Sequence, residues 1–198
     1  PKKRLAYLSL SCYGDEYEAL CDQALAAGAR AAPQGTPYLS AEGRWLLDPD
    51  GNLVQLKAGP KMTPCSMVHG TVRQAGPNER GMCNRSAVPR VRPRRLSHVL
   101  LFTPDIERAL GFWSDAFGLR LSDRGGDAVA FMHGRHGSDH HLVAFAASSA
   151  PGWHHSAWDV DGIDEVGRGG IGELAEFAAL LVMHGVDPRR QVIPARAS

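Results

Sequence analysis

Residues 96–118 read LSHVLLFTPDIERALGFWSDAFG, and the order of patterns within them decides the fold. LSHVLLF, 96–102, is an apolar run of strand length rich in residues that favour extended backbone. Thr103-Pro104 ends it, and Asp105 suits the first turn of a helix. ERALGFWSDAF then carries apolar side chains at helical spacing until Gly118 stops it. The expectation is a strand leading into a helix, followed by strand-like runs at DAVAFMH (127–133) and HLVAFAA (141–147) with a turn region between Gly134 and Asp139.

Working outward, the same order occurs upstream. LAYLSLS, 5–11, alternates as a half-buried strand does, and DEYEALCDQALAAG has a helical apolar face that stops at Gly28. RWLLDPDGNLVQLK is two strand-like runs around Asp48-Pro49-Asp50-Gly51-Asn52, where Gly51 can supply a positive φ. Downstream the order starts a third time, with WHHSAWDV as a strand and DGIDEV opening a helix. His155 to Ile163 has the same spacing as His98 to Ile106, so His98 and His155 hold equivalent places in successive units. Between the first two units, 61–95 is rich in Gly, Pro, Arg and Asn without periodicity, and its basic run PRVRPRR (89–95) reads as linker. The expected division is 1–60, a linker over 61–95, and a second domain over 96–198.

Composition narrows the classes. A chain of 198 residues, 43% hydrophobic and 22% charged, can bury a sizeable core, and a formal charge of +1 gives no general pull toward nucleic acid or anionic membrane. No aromatic or helical recognition pattern accompanies the basic run, so no nucleic-acid partner is expected. The longest apolar run, FAALLVM at 177–183, is far below the roughly 20 residues of a membrane span, and no leader pattern opens the chain. The expectation is no membrane association and a cytoplasmic location. Cys12, Cys21, Cys65 and Cys83 have no metal-site or disulfide spacing. An opening Pro1 in place of methionine suggests a fragment or processed product.

The histidines carry the chemistry. SDHHLVAFAASSAPGWHHSAWDV, 138–160, holds His140/His141 and His154/His155 in a context of apolar and small residues. Neutral imidazole is a common metal ligand, and two histidines with one carboxylate form the facial set that suits non-haem Fe(II). His98 and His155, at matching points of two units, fill two of those three places. Side chains alternate along a strand, so only one of each pair can face the cleft, and His141 is a better inward candidate than His140. An imidazole free of the metal beside an open coordination site can move protons near neutral pH.

LSHVLLFTPDIERALGFWSDAFGLRLSD, AFMHGRHGSDHHLVAF and GWHHSAWDV together resemble the catalytic domain of type I extradiol ring-cleavage dioxygenases, of the vicinal-oxygen-chelate superfamily, from about residue 89 to 169. The stretch ending GRWLLDPDGNLVQLKAGPK resembles the second module of that family's amino-terminal domain, which usually holds no metal; a first module has no counterpart. The resemblance implies an α+β fold of repeated βαβββ modules, here incomplete. It further implies Fe(II), alternatively Mn(II), on His98 and His155, with His141 as acid/base. A catechol-type diol and dioxygen would be the reactants, in aromatic hydrocarbon catabolism, with the ring opened next to the diol.

The family's third ligand is a glutamate on a late strand, and GELAEF nominates Glu176 beside Phe177. Read from its residues alone, IGELAEFAALLVMHG is instead a helix stopped at Gly185 with Pro188 beyond. The family's additional histidine and tyrosine before that glutamate have no counterpart, since no tyrosine follows Tyr38. Three alternatives to a full dioxygenase therefore stand: a degenerate relative, a different metal-dependent enzyme on the same module (lyase, isomerase or resistance protein), and a protein that holds aromatic ligands without chemistry. An unclosed sheet edge favours pairing with another chain, so a homo-oligomer is among the expected states.

Overall fold

The computed structural model describes residues 5–61, 75–81, 91, 93–160, 162, 165 and 166. The first unit runs β1 (Leu8–Cys12), α1 (Tyr17–Ala26), β2 (Arg30–Ala31), β3 (Arg44–Leu47) and β4 (Leu53–Ala58). The second runs β5 (Arg95–Thr103), α2 (Ile106–Phe117), β6 (Arg120–Gly125), β7 (Val129–His133) and β8 (Val143–Ala147), followed by β9 (Gly152–Asp159). In the first sheet the strand order is β1-β4-β3-β2, and in the second it is β6-β7-β8-β5-β9. Each unit is therefore βαβββ with its first strand parallel to its last. β9, the opening strand of the third unit, adds antiparallel to β5.

The expected α+β modules are present, with two additions. β2 and β6 escaped the sequence reading because both are sheet-edge strands with largely exposed side chains, which leaves no alternation to detect. β5 takes up Arg95, the last residue of the run read as linker, and most of 61–95 lies outside the described residues. So does the expected helix over 171–185, with Glu176 and His184 in it.

α2 forms as its signals indicate. The Asp105 carboxylate accepts the Arg108 N–H at 2.9 Å as an N-cap, and Gly118 closes the helix in the left-handed region at φ 67°. Its buried face, Ile106, Ala109, Phe112, Trp113, Ala116 and Phe117, meets Val99, Leu101, Ala130, Met132, Val143 and Phe145 of the second sheet. The same core continues into Leu8, Ala24, Leu46 and Val54 of the first unit, because α1 and α2 pack on each other between the two sheets. Trp113, 1% exposed, lies in this shared layer.

The turn of the first hairpin is docked on the second unit. Asp48, 2% exposed, accepts the Asp50 N–H at 3.0 Å, the Asn52 N–H at 2.7 Å and the Asn52 side-chain amide at 2.8 Å. Asp50 pairs with Arg108 of α2. At the other end of α1, Glu16 reaches Arg135 at 3.5 Å and both its oxygens lie 2.9 Å from His136 Nε2, on the loop between β7 and β8. Charged contacts thus flank the apolar layer on two sides.

Gly118→Ala should lower stability by about 1–2 kcal/mol, the cost of a left-handed residue that carries a Cβ. Only the flexible Arg135 side chain would meet that Cβ, at 3.0 Å, so backbone conformation sets the cost. A melt indistinguishable from the parent's would contradict this. Burial raises the Asp48 carboxyl above its ordinary 3.8, with the Asn52 donors pulling the other way. A raised folded-state value means that Asp48's contribution to stability is full at acid pH and declines as pH rises through that value. Asp48→Asn removes the ionisation, so denaturant titrations should show the variant gaining on the parent as pH rises toward neutral; a gap that does not change with pH would contradict the sign.

Candidate metal centre

Alternation along β5 sends Val99, Leu101 and Thr103 toward α2 and leaves His98, Leu100 and Phe102 on the opposite face of the sheet. On that face the pairings align Phe131 of β7, Ala144 of β8, Leu100 of β5 and His155 of β9 in one row across four strands. The small Ala144 between Phe131 and Leu100 makes an apolar floor that ends at an imidazole.

His98 stands diagonally beside His155, with their Nε2 atoms 3.2 Å apart. The His141 ring lies against His98, centroids 4.1 Å apart at 45°, and Phe131 meets His141 edge-on at 4.9 Å. Three half-buried imidazoles from the two expected units therefore converge. Burial is the leading cause that lowers the pKa of each, bringing His98 to about 4 with His141 and His155 adding to the effect. His141 is lowered further by His140 and His155, against a smaller opposing pull from Asp139, and His155 by His154. All three are neutral near pH 7 and have lone pairs to offer.

Two details differ from the expected placements. His141 and Leu142 precede β8, which begins at Val143, so loop geometry rather than strand alternation brings His141 inward. In β9 the register shifts opposite Leu100/Leu101, and the bulge keeps His154 near its neighbour: their Nδ1 atoms are 2.7 Å apart, and the His154 ring lies 4.9 Å from Phe102. The exposed His140 is likewise adjacent to His141, at 3.1 Å between Nδ1 atoms.

Ser122 hydroxyl lies 2.6 Å from His133 Nδ1 and 2.5 Å from the His140 carbonyl, tying β6 to the loop that presents His141. Sequence reasoning missed this serine, Phe131, and the acidic residues Asp139 and Asp159 that flank the histidine pairs. The available signal was their nearness to those pairs, a carboxylate within one or four residues of each.

The donor set fits two positions of a divalent first-row metal ion, for which neutral imidazole nitrogen is a preferred ligand. Among the described residues no group of three or more His, Cys, Asp or Glu side chains is arranged to hold a metal ion, and Glu176 lies outside them. Among the described residues, too, no helix is long and apolar enough to cross a membrane.

Comparison with known proteins agrees with this architecture. Residues 95–171 match the model of the Glyoxalase/Bleomycin resistance protein/Dioxygenase superfamily. Metapyrocatechase 2 of Cupriavidus necator is 53% identical over 168 residues, which are 85% of this chain and 52% of that protein. The chain thus spans about half the length of the curated relative it matches. Among solved structures, a Mn(II)-bound glyoxalase from Novosphingobium aromaticivorans is 24% identical with a TM-score of 0.57, over 93% of this chain and 53% of that one. BphC, a halotolerant catechol dioxygenase, is also 24% identical with a TM-score of 0.57, over 91% and 57%. With two βαβββ units in place and this sequence relationship, the chain carries in residues 95–171 a domain of the glyoxalase/bleomycin resistance protein/dioxygenase superfamily.

Proposed function

We propose that this chain is the metal-binding part of an extradiol dioxygenase that opens the ring of a catechol-type diol with dioxygen. His98 and His155 hold Fe(II), alternatively Mn(II), and Glu176 completes the set; residues 96–198 are the catalytic domain. Residues 1–60 are a remnant of a non-catalytic module, joined by the linker over 61–95. The observation that supports this reading most is the approach of the His98 and His155 Nε2 atoms to 3.2 Å, from equivalent points of successive units. Relationship to a metapyrocatechase over 85% of the chain supports the substrate class. Free thiols at Cys12 and Cys21 suit action in the cytoplasm.

When bound, the metal ion supplies Lewis acidity and a common point at which diol and dioxygen are held together. The chain's own residues do the rest. Phe131, half-buried over the buried Ala144 and Leu100, gives the histidines an apolar surround that suits the ring of such a diol. His141, neutral and packed on His98, takes a proton from one hydroxyl of the diol and returns it later. Phe131 against one side of the His141 ring fixes its direction.

Two measurements test this. Iron reconstitution should load the parent chain, and His98→Ala and His155→Ala should each lose the iron. His141→Asn should keep the iron while oxygen uptake with catechols slows by roughly 10²- to 10⁴-fold, the usual worth of a positioned acid/base. Loss of iron in the His141 variant would refute the division of roles. Iron bound by the parent with no oxygen uptake from any catechol would favour an aromatic-ligand binding protein over the enzyme.

A further inference from the structure

His98 and His155 share one continuous stretch of the β5–β9 ladder, through His98↔Ala157 and Leu100↔His155, whereas His141 sits where the β5–β8 ladder gives out. β5 and β8 pair from Val99↔Val143 to Thr103↔Ala147, with the Val99 N–H donating to the Leu142 carbonyl at 3.0 Å. His98 lies one residue before that ladder on its strand, and His141 lies two before it on the other. On the opposite flank the β5–β9 register shifts between Leu96 and His98, so the irregularity separates His98 from Arg95. The β5–β9 ladder, then, sets His98 beside His155, but no ladder fixes the His141 ring relative to either.

Arg95 reaches across to the unpaired His141 segment on one flank and closes the β5–β9 ladder beyond its irregularity on the other. Its Nη2 lies 2.5 Å from Asp139 Oδ2, and its Nε lies 3.2 Å from Asp159 Oδ2. Asp139 stands two residues before His141, and Asp159 stands four after His155, opposite Arg95 in the ladder. One guanidinium on the central strand thus holds the segment on each side of it. A planar fork with donors in fixed directions suits two carboxylates approaching from opposite flanks, which a single ammonium cannot reproduce. Arg94 strengthens one flank, at 3.4 Å from Asp159 Oδ1 and donating to the Val160 carbonyl at 3.3 Å. The side chains of Arg95 and Asp159 are 22% and 27% exposed, so that pair is only partly open to solvent screening, while Asp139, at 37%, is more so.

We propose that Arg95 is a positioning residue that sets the His141 ring against the His98–His155 pair through Asp139 and steadies the β9 strand that carries His155 through Asp159. Its consequence for chemistry rests on the metal-site reading above, but the ring separations belong to the chain itself and are measurable without metal.

The test uses the full chain and its Arg95→Ala, Asp139→Asn and Asp159→Asn variants. Proton–proton contacts between the His98 and His141 rings are recorded by NMR on metal-free protein, and Co(II) binding is titrated separately. Arg95→Ala should lose the His98–His141 contact and bind Co(II) roughly 10- to 100-fold more weakly, the usual loss when a group that orients metal-binding imidazoles is removed. Asp139→Asn should lose the ring contact with Co(II) affinity close to the parent's, and Asp159→Asn should do the reverse. A ring contact that survives in both Arg95→Ala and Asp139→Asn overturns the proposal whatever the metal result. If Arg95→Ala does not fold, the two aspartate variants decide, and parent-like behaviour of both overturns it. A parent that binds no Co(II), while its ring contact is lost in Asp139→Asn, sinks the metal-site reading and leaves the positioning role standing.

Discussion

The site exists because β5 runs between a parallel neighbour and an antiparallel one. A βαβββ unit places its last strand parallel to its first, which leaves the other edge of the first strand unpaired. β9 fills that edge from the opposite direction. The residue at the same place in the next unit, His155, is thereby carried alongside His98, and the loop before β8 brings His141 to the other side. Without β9 on that edge there would be one histidine on a strand and no site. The proposed chemistry thus depends on strand order before it depends on any side chain.

What keeps β5 in place lies behind it. α2 packs its aromatic face on β7 and β8 and shares Trp113 with the layer formed by α1, so the first unit contributes to one core with the second. This gives the first unit a physical role even where it supplies no site residue. Glu16 holds Arg135 and His136 from α1, at the start of the loop that ends in His141, and Lys61 donates to the His136 carbonyl at 2.8 Å. Removing the first unit would take away a wall of the core and the Glu16 anchor of that loop.

Much of this was legible in the sequence. The strand–helix order, the helix stops at Gly28 and Gly118, and the equal spacing of His98–Ile106 and His155–Ile163 are local signals, and periodicity and turn chemistry express them directly. The ring that packs on His98 is His141, while His140 is exposed, and strand alternation is not what turns it there. His141 precedes β8, so a loop and the packing of Phe131 set its direction. Arg95 was hidden because a basic run before a strand looks like a solvated connection. Only the pairing of β5 with neighbours on both sides gives its last arginine two carboxylate partners, and such long-range pairing leaves no local pattern. β2 and β6 were hidden for the complementary reason, as edge strands with little buried surface to impose alternation.

The central claim is that two imidazoles, one from each of two successive units, share one metal ion. X-ray absorption at the iron edge on the anaerobically reconstituted chain tests it most directly, because imidazole rings scatter with a signature that can be counted. The account predicts two imidazoles per iron in the parent and one in a chain whose His155 is replaced by alanine. A parent spectrum with no imidazole, or an unchanged spectrum in that variant, would contradict it.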